Sequence, residues 1–187
     1  MPNTIRYIKE TMQKQKIPAD TMARFDFTES FEPEALIALY KRMDELLTPE
    51  QVLRIMECQG CCTTGKVAAA HTAFGRKYAD LPLAEKIGRL HELNTVHNPP
   101  CRLNDDGTLS VFWDVGEPGQ YKCVCGYMRK LADQSDVPRT FCGCGGGHAR
   151  KSLQRSLGIK LNLKEIVSSA LSSNGQKRCE FLFEVGE

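Results

Sequence analysis

IKLNLKEIVSSALSSNGQKRCEFLFEV, residues 159–185, decides the fold. Two alternating runs flank Ser173-Asn174-Gly175-Gln176, and Asn-Gly between such runs is the strongest short-range hairpin signal. Strands are therefore expected from Ile159 to about Leu171 and from Lys177 to Val185. On the second, Cys179, Phe181, Phe183 and Val185 share one face, the buried one, because side chains two apart in a strand point the same way.

Upstream, Gly143 to Gly147 reads as a glycine-rich bend. A helix from His148 to Leu157 follows it and stops at Gly158. Leu109 to Val115 and Gln120 to Cys125 suit two further strands. Before residue 99 the apolar period becomes three and four. Thr4 to about Lys14 predicts one helix. Glu32-Pro33 opens another, with Leu36, Leu39, Tyr40, Met43 and Leu47 in step. Thr48-Pro49-Glu50-Gln51 restarts the helix: a cap residue, proline at the first helical position, and glutamine three after the cap. Thr63 and Thr64 can cap the next, which carries Val67, Ala70, His71, Phe74 and Tyr78 along one side. Pro82 begins the last, through Ile87, Leu90 and Leu93. The fold class is α+β, a helical N-terminal half packed on an antiparallel sheet formed mainly by the C-terminal half. Residues 1–187 read as one domain, a helical lobe over 1–98 sharing its core with an α+β lobe over 99–187.

A net charge of +2 and the lack of any polybasic run argue against nucleic acid as a partner. No stretch approaches the roughly 18 apolar residues of a membrane span. The charged start of the chain does not read as a signal peptide. A cytoplasmic location follows as the expectation, and thiols stay reduced there.

That matters because the chain has 9 cysteines. Seven stand in three clusters: Cys58-Gln-Gly-Cys61-Cys62, Cys123-Val-Cys125 and Cys142-Gly-Cys144. Such spacings suit a soft metal better than disulfides between neighbours. Cys123 and Cys125 share a face if extended, as do Cys142 and Cys144. Cys58, Cys62, Cys123, Cys125, Cys142 and Cys144 are therefore the candidate ligands, and zinc the expected metal. Cys62, near a helix start that would favour its thiolate, is the candidate nucleophile. His148, just after the glycines, and His71, on the apolar side of its helix, are the candidate bases. The glycines before Arg150 and Lys151 also admit an anion at a helix start, without the Walker pattern.

Tyr121-Lys-Cys-Val-Cys125, Phe141-Cys-Gly-Cys-Gly-Gly-Gly-His148, a helix ending Leu157-Gly158, and Ser172-Ser-Asn-Gly-Gln-Lys-Arg-Cys179-Glu-Phe181 follow in that order. Over residues 120–187 this resembles the prokaryotic L-2-amino-thiazoline-4-carboxylate hydrolase-like family, and more loosely the 4-vinyl-reductase domain. The resemblance implies an α+β fold with a small-molecule pocket between helices and sheet and a cysteine-bound metal. Three functions then compete. The first is a zinc-binding protein that hydrolyses a small cyclic C–N substrate, its ligand neutral or anionic. The alternative is a non-catalytic ligand-sensing module with a structural zinc. The third is a dithiol redox protein using Cys58 and Cys61.

Overall fold

The structure, a computed structural model, describes residues 4–30, 32–60, 63–93, 95, 98–125, 128 and 136–186. Among the described residues, seven α-helices and four strands are α+β in class, helices first and sheet mainly from the C-terminal half. α1 (Thr4–Lys14) buries Ile5, Ile8 and Met12, one stripe at helical spacing. α2 (Ala19–Met22) is a single turn, and α3 (Pro33–Leu46) buries Leu36, Leu39, Tyr40 and Met43. α4 (Pro49–Met56) opens on the expected capping box: Gln51 N–H donates to Thr48 Oγ1 at 3.2 Å, and Thr48 N–H to Gln51 Oε1 at 2.9 Å. α5 (Gly65–Lys77) follows with Thr64 at its N-cap, and α6 (Leu83–Gly88) starts after Pro82.

α7 differs from expectation. It runs Gly143–Leu157 as a continuation of a 3-10 turn, Arg139–Cys142, so the glycine run is helix and not bend. The cost of glycine in a helix is offset here by closeness. A Cβ on Gly147 would lie 2.4 Å from the carbonyl oxygen of Gln59, and one on Gly146 would lie 3.0 Å from Leu163 Cδ2. The glycines let the start of α7 sit against the exit of α4 on one side and the sheet on the other.

The sheet is antiparallel in the order β1-β2-β4-β3, with β1 Cys101–Leu103, β2 Leu109–Trp113, β3 Lys160–Ser168 and β4 Cys179–Gly186. Register pairs Val111 with Phe181 and Leu163 with Phe183. Leu109, Val111, Trp113, Cys179, Phe181, Phe183, Leu161 and Leu163 thus share the face that meets α7, and all are buried. The buried core continues from these to Ile5, Ile8 and Met12 of α1.

One strand, β1, was not expected from the sequence, and one expected strand is absent. β1 joins β2 through Asn104-Asp-Asp-Gly-Thr108, where Gly107 takes φ 80° and Asn104 N–H donates to Thr108 O at 2.8 Å. Gln120 to Cys125 is loop, because β2 and β3 already occupy both sides of β4. Its N–H groups go elsewhere, Tyr121 to Gly175 O at 2.9 Å and Lys122 to Val115 O at 2.6 Å.

β3 is a nine-residue sheet edge, and side chains occupy its outward backbone groups. Leu161 N–H donates to Gln154 Oε1 (2.8 Å), Arg150 Nε to Leu161 O (2.5 Å) and Leu163 N–H to Glu57 Oε2 (2.8 Å). Arg139 Nη2 donates to Val167 O at 3.2 Å. Helix side chains stand where a fifth strand would pair, which protects the edge from foreign strands.

Candidate functional site

β3 and β4 are joined as the Asn-Gly signal predicts, but by a helical turn and not a two-residue hairpin. Ser173 N–H donates to Ser169 O, Asn174 N–H to Leu171 O, and Gly175 N–H to Ala170 O at 2.8 Å. With Asn174 at φ 51° this is a Schellman closure, the short side chain of asparagine tolerating the left-handed position. Opposite it, Glu117-Pro118-Gly119 turns the chain, with Gln120 N–H on Glu117 O at 2.8 Å. The two turns touch at Tyr121 and Gly175, where a Cβ on Gly175 would lie 3.1 Å from Tyr121 O.

Between them lies a cavity of about 730 Å³, lined by Gln120, Tyr121, Lys122 and Cys123 on one wall and Ala170, Leu171 and Asn174 on the other. That volume falls within the range of small-molecule sites. Two further cavities are near 280 Å³ each, one beside Asp44, Arg139 and Glu165 and one beside Arg24, Asp26 and Arg42. Among the described residues of the larger cavity's lining, Lys122 carries a charge and no carboxylate or histidine stands with it.

Cys123, buried, belongs to the wall, and two other buried thiols come up behind it. Cys142 Sγ lies 2.8 Å from Ser169 Oγ, and Ala170 N–H donates to Cys179 Sγ at 3.4 Å. Cys142 and Cys179 bond the adjacent residues 169 and 170, and Ala170 and Cys123 line the same cavity, so sulfurs from a loop, a 3-10 turn and a strand approach one region. Burial pushes the Cys123 and Cys142 thiols up to about 12 and raises that of Cys179. At neutral pH they are thiols, poor nucleophiles lying against an apolar wall.

The other sequence candidates stand apart from this cavity. Cys58, in the turn after α4, and Cys144, in the first turn of α7, both lie within electrostatic reach of Lys151. Desolvation raises the Cys58 thiol, with Glu57 adding to it. Cys142 and Cys144 share no strand face, since a helix starts between them. Cys62, and the Cys61 of the dithiol reading, lie outside the described residues. His71 is fully buried between α5 and α7, its Nδ1 2.6 Å from Ser156 Oγ. His148 is buried and packs edge-on to Trp113, ring centroids 5.4 Å apart, while Trp113 Nε1 donates to Gly145 O at 3.3 Å. An anion at the start of α7 finds no room: Met56 Cβ and the carbonyls of Met56 and Gln59 fill the space beside Gly143 and Gly147.

Residues 120–122, 170–171 and 174–175 were not singled out from the sequence as a site. The signal was present as two turn motifs, Pro118-Gly119 and Asn174-Gly175. Nothing local says that turns 55 residues apart face each other.

No family model matches the chain, and no curated protein does. Solved structures similar to it include the crystal structure of an H-NOX protein from S. oneidensis in the Fe(II)NO ligation state, 10% identical, with 100% of each chain covered and a TM-score of 0.38. A mutant of an S. oneidensis H-NOX protein in the Fe(II) state is 10% identical over 100% of this chain and 97% of that one, TM-score 0.39. An NMR structure of a mutant H-NOX domain from Shewanella oneidensis in the Fe(II)CO state is 13% identical over 100% and 99%, TM-score 0.37. A likeness this distant does not say what the present chain binds.

These findings correct three expectations. No family model matches the chain, and its structural neighbours are H-NOX proteins rather than L-2-amino-thiazoline-4-carboxylate hydrolase-like proteins or 4-vinyl-reductase domains, so the resemblance read from residues 120–187 is withdrawn. The reading as a zinc-binding hydrolase of a small cyclic C–N substrate falls as well. Zinc itself has no seat: among the described residues no group of three or more His, Cys, Asp or Glu is placed to hold a metal ion. The physical reason is that Cys58 and Cys144 lie near Lys151, at the exit of α4 and the start of α7, while Cys123 stands in the cavity wall and Cys142 lies against Ser169. Among the described residues no helix is long and apolar enough to cross a membrane.

Proposed function

We propose that this chain is a non-catalytic module that binds and reports a small molecule in the cavity between the 119–123 loop and the 170–175 turn. The cavity carries the reading: about 730 Å³, walled by Tyr121, Leu171, Ala170 and Cys123, with amide side chains at Gln120 and Asn174 to orient an occupant. Among the described residues its lining holds no carboxylate or histidine to act as a general base, and burial keeps the Cys123 thiol protonated. That favours binding over turnover. Lys122, exposed at the mouth, suits a ligand with one negative group beside an apolar body. A ligand that bridges the two turns would report its presence by fixing one against the other.

Anilinonaphthalene sulfonate has this shape, an aromatic body with one anionic group. Its fluorescence should rise and saturate at one site per chain. Ala170→Trp, which fills the cavity, should abolish that signal while the far-ultraviolet circular dichroism stays unchanged. Lys122→Ala should weaken binding by about threefold, the worth of one exposed ion pair. Equal binding by the parent and Ala170→Trp would rule the cavity out.

A further inference from the structure

The turn that forms one wall of the cavity is rooted on two thiols. Cys142, from the 3-10 turn before α7, touches Ser169 Oγ at 2.8 Å. Cys179, the first residue of β4, accepts the N–H of Ala170 at 3.4 Å. The two sulfurs therefore hold adjacent residues, 169 and 170, from different elements. Ser169 Oγ in turn accepts Leu171 N–H at 3.1 Å and Ser172 N–H at 3.3 Å, so the grip extends into the turn. No disulfide joins the described cysteines.

We propose that Cys142 and Cys179 are a redox switch for this wall: as thiols they anchor the 169–175 turn, and as a disulfide they release it. The proposal rests on the reading of the cavity as the ligand site. The oxidant is a peroxide. One sulfur attacks a peroxide oxygen, an S–O bond forms, the O–O bond breaks, and water leaves. The second sulfur then attacks the sulfenic sulfur, the S–S bond forms, the S–O bond breaks, and a second water leaves. Two thiols lose two electrons and two protons, and one hydrogen peroxide becomes two waters. In the disulfide the two sulfurs turn towards each other, Cys142 away from Ser169 Oγ and Cys179 away from the Ala170 N–H. The turn then loses both anchors and the cavity loses a fixed wall. Because both thiols are held protonated by burial, the reaction is slow at neutral pH and speeds up by about tenfold per pH unit.

The test uses the full chain treated with hydrogen peroxide, quenched with N-ethylmaleimide and digested with trypsin without reductant. The expected product joins the peptide Thr140–Arg150 to the peptide 179–187, with fragmentation assigning the bond to Cys142 and not Cys144. Amide hydrogen exchange over residues 170–175 should accelerate by about tenfold or more on oxidation. Cys179→Ser, which keeps an acceptor for Ala170, should show neither change. Absence of the Cys142–Cys179 link, a link from Cys179 to Cys123 instead, or a link with unchanged exchange would each overturn the switch. These readouts need no ligand, so the switch can fail while sulfonate binding to the reduced chain stands, and the reverse.

Discussion

A methyl group on Gly75 would stand 2.2 Å from the carbonyl oxygen of Arg155, where α5 crosses α7. The obstacle is backbone, which cannot turn aside as a side chain can. Gly75→Ala should therefore cost on the order of 3 kcal/mol in urea denaturation, at the upper end of overpacking effects. Gly88→Ala, at the end of α6 with nothing within 4 Å of the new atom, should be neutral or stabilise by roughly 0.5 kcal/mol. Similar losses at both positions would contradict the crossing. At this scale the sequence shows residue types but not neighbours. The glycines at 143–147 were visible, yet their reading as a bend followed glycine's ordinary helix cost, because the carbonyls of Met56 and Gln59 that reward their smallness are far away in the chain. His71 was legible as the buried side of a helix; its partner Ser156, 85 residues on, was not.

Among the elements, β3 depends on helix side chains for its outer edge. Glu57 is 5% exposed, accepts Leu163 N–H at 2.8 Å, and pairs with Arg54 Nη1 at 3.2 Å. Glu57→Ala should cost about 3 kcal/mol, since it strands a strand N–H and removes the partner of a half-buried guanidinium. Glu57→Gln, which keeps an acceptor, should lose less than half of that. Equal losses would show that charge alone matters and that the edge is not held by this hydrogen bond. Thr48→Ala should cost about 1 kcal/mol through the capping box. That box was legible because it is complete within four residues. The β1 hairpin was written just as locally, in Asp105-Asp106-Gly107, and passed over because its first strand spans three residues. Gln120 to Cys125 alternates well enough for a strand, but strand formation needs a vacant partner and β4 had none.

For the whole molecule, the buried thiols decide how stability follows pH. Burial lifts Cys101, Cys123 and Cys142 each to about 12, whereas an unfolded thiol titrates near about 8.5. Below about pH 8 both states hold these protons and no dependence arises. Above it the unfolded chain gives them up while the native chain does not, so stability falls as pH rises, by about 1.4 kcal/mol per unit for each thiol. Urea midpoints between about pH 7.5 and pH 10 should decline, and Cys142→Ala should decline less steeply by one thiol's share. A flat profile would mean that the thiols are solvated. Sulfurs meeting from separate elements could be suspected from three cysteine clusters, but which sulfurs meet is set by topology. The fold class was readable from period and turns; the cavity was not, because it exists only once residues 119–123 and 170–175 face each other.

Backbone amide shifts followed during titration with anilinonaphthalene sulfonate test the central reading most directly. Saturable shifts at Tyr121, Cys123, Leu171 and Gly175, absent in Ala170→Trp, are the result expected. Shifts gathered instead around Asp44 and Arg139, or around Arg24 and Arg42, would put the occupant in another cavity and contradict it.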